Sequence, residues 1–266
     1  MMTTMVFSLA ALSASHADPI SEQFAEGVIQ HDGRDYPYRL LVPEDPETAH
    51  PLVVFLHGAG ERGNNNTSQL GHFPKRVVTE PQFKGKPCYV LAMQCPKDDQ
   101  WASYKTRRPV PGPPRAAMVA LIKAMAKTVS DHNVDANRIY LVGLSMGGYG
   151  SWDLAARHPD WFAAVVPVCG GGHTATAQSL VDVPIWAFHG TADRVVPERE
   201  SARMVDAIRN AGGRPAYTPL KGVGHNSWNF AYGPHGAMEW MFAQRNAQTP
   251  SLTTDNTIGV SKTPEP

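Results

Sequence analysis

The sequence predicts an α/β fold built on a doubly wound, mostly parallel sheet, and three observations carry that prediction. Short apolar runs recur along the chain, helical stretches alternate with them, and most of the runs end in Gly, Pro or polar residues. The near-continuous hydrophobicity of "PLVVFLHG" (51–58), "PCYVLAMQCP" (87–96), "RIYLVGLS" (138–145), "FAAVVPVCG" (162–170) and "VPIWAFHG" (183–190) suits strands covered on both faces.

Before these runs, "GVIQ" (27–30) and "YPYRLLVP" (36–43) flank "HDGRD", whose Gly marks the turn of an antiparallel hairpin. Helices are expected over 113–132, over 147–158 until Pro159, and over 198–210 until Gly212 and Gly213. "PAYTPLKG" (215–222) reads as a last strand and 233–247 as a closing helix. One domain is therefore expected within 18–247. Residues 248–266 form a polar, Pro- and Thr-rich tail expected to be disordered. Residues 1–17 hold an apolar stretch and small residues before Asp18, as an export signal does, but lack a basic start. Exported and cytoplasmic locations are left equally weighted.

Twenty-four Lys plus Arg balance twenty-four Asp plus Glu, so no net field draws in nucleic acid or an anionic membrane. No apolar run beyond the first residues approaches the ~20 residues of a membrane helix. The three cysteines are an odd count, and Cys88 and Cys95 bracket one strand that separates them by about 23 Å. Free thiols are expected.

The chemistry concentrates in "VGLSMGGYG" (142–150). Gly143-Leu144-Ser145-Met146-Gly147 fits G-x-S-x-G, placed directly after a strand and before a helix. Such a turn crowds the residues two positions either side of the serine against their neighbours, which is why they are glycines. It lifts the Ser145 hydroxyl above the sheet and leaves the Met146 N–H at a helix start, aimed at developing negative charge. A serine nucleophile needs a histidine base oriented by a carboxylate, in the chain order Ser, acid, His. Of the acids downstream, only Asp193 in "AFHGTADRVVP" lies just past a strand end. His225 in "KGVGHNSW" follows the last strand and is read as the base, whereas His189 precedes Asp193 and is read as a core or supporting histidine. His158 and His235 sit at helix ends. "HGAG" (57–60) makes Ala59 N–H the second oxyanion donor and gives His57 a structural role. Gly60, Trp101 in the long loop 96–114, and Trp228 beside His225 are the candidate substrate-pocket residues, with "GGGH" (170–173) on the acyl side. Lys105, Arg107 and Arg108 of that loop read as a solvated face. No paired His/Cys spacing suggests a metal.

With "FLHGAGERG", "GLSMGGYGSWDLAARHPDWFAAVVPVCGG", "FHGTADRVVP" and "GVGHNSW" in this order, the chain resembles the α/β-hydrolase superfamily. Within it the chain is similar to dienelactone-hydrolase and phospholipase/carboxylesterase-like esterases, and to feruloyl and polyhydroxybutyrate depolymerase-type esterases. The resemblance implies an eight-stranded, mostly parallel sheet with helices on both faces, and Ser-His-Asp ester hydrolysis without metal or organic cofactor. The short stretch between Gly170 and the next strand leaves no room for a large lid. The expected partner is a small-molecule or carbohydrate-linked ester. A peptidase of the prolyl-oligopeptidase-like group and a non-catalytic binding module with this fold are the alternatives. Acyl length, alcohol group and oligomeric state are not legible.

Overall fold

The computed structural model describes residues 18–103, 112–247 and 252. The export signal expected in 1–17, the basic residues of 104–111 and nearly all of the tail lie outside the described residues. The chain opens on a hairpin, β1 (Phe24–His31) and β2 (Arg34–Leu41), paired antiparallel in full register from Phe24 opposite Leu41 to His31 opposite Arg34. Its turn puts both Asp32 (φ 49°) and Gly33 (φ 70°) at positive φ, the two-residue geometry that matches strand twist and that Asp-Gly adopts at little cost.

The remaining strands are β3 (His50–Leu56), β4 (Tyr89–Met93), β5 (Val134–Leu144), β6 (Ala164–Val168), β7 (Trp186–Gly190) and β8 (Ala216–Leu220). They form one eight-stranded sheet in the order β1-β2-β4-β3-β5-β6-β7-β8, parallel from β4 to β8. β2 joins β4 antiparallel.

The helices are α1 (Phe73–Thr79), α2 (Ala116–Asp131), α3 (Met146–Arg157), α4 (Arg199–Asn210), the single turn α5 (Trp228–Ala231) and α6 (Met238–Ala243). Alternation along the central strands deals their side chains to two cores. Leu52, Val54, Leu56, Ile139 and Leu141 face α2, α3 and α4 through Met118, Met125, Trp152 and Met204. Val53, Phe55, Tyr140 and Val142 face the other layer, with Phe73, Tyr232, Met238 and Met241. Fully burying a Leu, Val or Phe side chain contributes about 1.5–3 kcal/mol, so these central residues fix which face each helix covers.

The closing helix is shorter than expected. Residues 233–237 form a turn in which Gly236 packs on the Ala231 carbonyl, and a side chain there would stand 2.2 Å from that oxygen. Past Ala243 the chain turns extended at Gln244, and Asn246 N–H donates to the Asn137 carbonyl. α1 lies in a stretch for which the apolar pattern predicted no element. Among the described residues no helix is long and apolar enough to cross a membrane.

β4 and β5 follow one another in sequence but lie on opposite sides of β3. That reversal opens a crevice at the carboxyl ends of the strands, which is where open α/β sheets hold ligands. Gly58, Ser145, Asp193 and His225 all follow those ends, after β3, β5, β7 and β8 respectively.

Candidate active site

Ser145 stands between β5 and α3 at φ 53°, ψ −116°, a conformation that L-residues rarely adopt. The sequence enforces it locally. A Cβ on Gly147 would lie 1.9 Å from the Leu56 carbonyl oxygen, and one on Gly143 would lie 2.3 Å from that of Gly147. Both clashes are with backbone, so neither position accepts a side chain without moving β3 or α3. Ser145 N–H donates to the Val168 carbonyl at 2.9 Å, which ties the turn to the end of β6.

His225 Nε2 lies 2.9 Å from Ser145 Oγ, and His225 Nδ1 lies 2.7 Å from Asp193 Oδ2. The other carboxylate oxygen, Asp193 Oδ1, accepts the Val195 and Val196 N–H groups at 2.8 and 3.0 Å. Burial would raise the Asp193 pKa, but the His225 contact and the two backbone donors outweigh it and hold the carboxyl below its ordinary value. Asp193 is thus a fixed anion facing His225.

His189 is fully buried at the end of β7 and supports that acid. Its Nε2 faces the Val196 carbonyl at 2.9 Å and Asp193 Oδ2 at 3.3 Å, while its Nδ1 lies 2.8 Å from Ser201 Oγ. Burial lowers its pKa.

The loop after β3 is held from behind. His57 is buried, its Nε2 accepts the Cys95 N–H at 2.9 Å, and its Nδ1–H therefore donates to the Gly58 carbonyl at 2.6 Å. Ala59 then starts a 3-10 turn, Ala59–Glu61, and Met146 is the first residue of α3. The first amides of such elements have no partner within their own element.

Burial also pushes the His57 pKa down to about 4 from the ordinary 6.5. The unfolded chain takes up that proton below about pH 6.5 and the folded chain only near 4, so the contribution to stability is full above the window and drains through it. A gap of this size is worth about 3 kcal/mol. His158, stacked on Trp161 and pushed to about 4, and His189 act in the same direction. Urea unfolding measured from about pH 7.5 down to about pH 4 should show this loss, with the slope reduced in His57→Gln. A slope unchanged in that variant contradicts the assignment.

The pocket residues expected from the sequence are placed differently. Trp101 is not a cleft wall: it is fully buried in the α2/α3 core, donates Nε1–H to the His57 carbonyl at 3.0 Å and packs edge-on against the His57 ring. It backs the loop that was expected to hold the substrate in front of it. Side chains at Gly170, Gly171 and Gly172 would point at α3 and α4, towards Gly148, Glu200 and Trp152. Trp228 does lie at the crevice, partly exposed, with its ring edge-on to His225 at 5.4 Å, and Gly60 has open space around it.

The segment after β6 forms a 3-10 stretch, Thr174–Leu180, packed on α3 and α4. All three cysteines are free and buried. Cys169 was not anticipated here: among the described residues its Sγ, Asp193 and His225 are the one set of ligand-type atoms close together, within 4.8 Å. Burial pushes the Cys169 thiol up to about 12, so it stays protonated, and the carboxylate and imidazole already engage one another. A second unforeseen feature is Glu61, paired with His72 at 3.3 Å. Its one sequence signal is an acidic residue inside "HGAGERG", between Gly60 and Arg62.

The dienelactone hydrolase family matches residues 102–229. A crystal structure of a thermostable esterase superposes with a TM-score of 0.78 at 40% identity, covering 85% of this chain and 64% of that one. Poly(3-hydroxyalkanoate) depolymerase C of Paucimonas lemoignei is 28% identical across 84% of this chain and 49% of its own length. A probable feruloyl esterase C of Aspergillus niger is 26% identical across 77% of this chain and 72% of its own. The chain spans less than half the length of the first curated relatives it matches.

Proposed function

We propose that this chain, which belongs to the α/β-hydrolase superfamily, is a serine carboxylesterase that hydrolyses carboxylic esters through an acyl-enzyme. The observation that carries the reading is the unbroken line of contacts from Ser145 Oγ through His225 to Asp193, with a histidine nitrogen 2.9 Å from the hydroxyl. That geometry is within reach of a general base.

In this reading His225 Nε2 takes the Ser145 proton as Oγ attacks the ester carbonyl. Negative charge that gathers on the carbonyl oxygen is met by the Met146 and Ala59 N–H groups, at the starts of α3 and of the 3-10 turn. The proton on Nε2 passes to the leaving alkoxide and the C–O bond breaks, leaving the acyl group on Ser145. Water then repeats the sequence with His225 as base, releasing the acid and restoring the hydroxyl. Asp193 stays ionised throughout, holding the Nδ1–H of His225. No step calls for a metal or an organic cofactor. The esterase names of the relatives support esters as the substrate class.

A panel of short, long, aryl and carbohydrate esters, with peptide anilides included, tests the reading. Ester turnover with little amide turnover is expected. A fluorophosphonate should stop that turnover and add its mass to the peptide containing Ser145. Turnover that persists in fully labelled protein, or a label on another residue, contradicts the assignment.

A further inference from the structure

Glu61 is the third residue of the 3-10 turn that Gly58 caps and Ala59 begins. A glutamate in that place reaches back to the amide of the capping residue, the return half of a capping box. Its Oε2 lies against Gly58, 3.0 Å from the point where a Cβ would stand there. That oxygen is closed to water, and Oε1 lies 3.3 Å from His72 Nε2, so the carboxylate is a fixed part of the loop. Burial disfavours its charge, but the His72 contact and the Gly58 N–H more than offset that and hold the carboxyl below its ordinary value.

The next peptide depends on this grip. Gly58 C=O and Ala59 N–H share one plane, and that N–H is the second proposed oxyanion donor. Rotation at Gly58 sets its direction, and glycine resists rotation least of all residues. His57 Nδ1–H holds the plane by its carbonyl oxygen at 2.6 Å. A single hydrogen bond lets the plane swing about that contact, whereas a second hold on the preceding amide stops it. Gln94 at the Glu61 carbonyl and Arg62 at the Ala59 carbonyl, at 2.9 and 3.0 Å, secure the rear of the turn without touching this plane.

Electrostatics alone argues the other way. The same Cβ point on Gly58 lies 3.7 Å from Ser145 Cβ, so the anion stands near the nucleophile. There it opposes negative charge gathering on a substrate carbonyl. Resting on the esterase reading above, we infer that Glu61, steadied by His72, is a positioning residue that grips the Gly58 amide and so aims the Ala59 N–H at the oxyanion.

The two effects give opposite signs in Glu61→Met, which keeps the length of the side chain but loses its charge and its acceptor. Repulsion alone predicts a faster enzyme. Positioning predicts kcat, counted per site titrated with a fluorophosphonate, lowered by about tenfold to a hundredfold with KM little changed, a smaller loss than removing an oxyanion donor outright. Glu61→Gln keeps an acceptor for the Gly58 N–H and should recover most of that loss. An aryl trifluoromethyl ketone gives a second readout. Ser145 Oγ adds to its carbonyl carbon, the serine proton passes to His225, and the former carbonyl oxygen becomes an oxyanion. Its inhibition constant should weaken in Glu61→Met by the same factor as kcat/KM. If the methionine variant does not fold, Glu61→Asp, whose carboxylate stops one carbon short of Gly58, should show the same losses and decides. Turnover per titrated site that is unchanged or raised, a loss confined to KM or to thermal stability, or equal losses in the methionine and glutamine variants, overturns the inference. Ester turnover undiminished in Ser145→Ala overturns the esterase reading itself, and this inference with it.

Discussion

Ser145→Ala is expected to lower kcat by about 10⁵ to 10⁶, with KM changed little, because the nucleophile goes while the binding crevice stays. The residue lost is small and the fold should not notice it. Ser145 sits at φ 53°, and alanine carries the same Cβ into the same backbone conformation, so the strain is retained and the stability should stay close to wild type. Ser145→Gly separates the two effects. Glycine adopts this region freely, and strain of this kind costs on the order of 1–3 kcal/mol, part of which glycine's greater unfolded-state freedom gives back. The glycine variant should therefore be equally inactive yet more stable than the alanine variant by about 1 kcal/mol. Active-site-titrated kcat and urea unfolding of all three proteins check both statements. A glycine variant less stable than the alanine variant would mean that the turn is not strained, and residual turnover within a hundredfold of wild type would remove Ser145 as nucleophile.

Much of this architecture was legible because the central strands β3, β4 and β6 are apolar on both faces and most breaks carry a Gly, Pro or polar residue. The elbow was legible for a different reason: two glycines that backbone atoms forbid from being anything else, at Gly143 and Gly147, mark a turn that few other structures need. Asp193 and His225 followed from chain order and strand ends; His225 meets Ser145 at 2.9 Å and Asp193 at 2.7 Å. What escaped was whatever depends on the third dimension across the crevice. Trp101 in a long polar loop looks like a ligand platform, yet its indole N–H finds the His57 carbonyl and its ring fills the core behind the loop after β3. Composition cannot show which side of a loop a tryptophan takes. Glu61 and His72 are eleven positions apart in a region of weak periodicity, so nothing in the pattern paired them. Cys169 was read only as an unpaired thiol, whereas the turn after β6 brings it under the Asp193–His225 contact.

Asp193→Asn should cost about 10⁴ in kcat despite replacing one small planar group with another of the same shape. The reason lies in how the carboxylate's two oxygens are used. Oδ1 accepts two backbone N–H groups, from Val195 and Val196, at 2.8 and 3.0 Å. An asparagine must keep its carbonyl oxygen at that position, since an NH₂ there would face two donors. Its NH₂ then occupies the place of Oδ2, 2.7 Å from His225 Nδ1, and donates to that nitrogen. His225 is forced to carry its proton on Nε2, pointing at Ser145 Oγ, where it cannot serve as a base. His189 opposes this placement weakly, because its Nε2–H also faces the Oδ2 position, 3.3 Å away, and loses that acceptor, but it keeps the Val196 carbonyl at 2.9 Å, whereas the reverse placement would leave two backbone donors facing an NH₂. The variant should remain folded and should still bind substrate with a similar KM, but acylate slowly. Stopped-flow measurement of the acylation phase with an aryl ester isolates that step. Acylation within tenfold of wild type would show that His225 does not take its tautomer from Asp193, and the orienting carboxylate would have to be sought elsewhere.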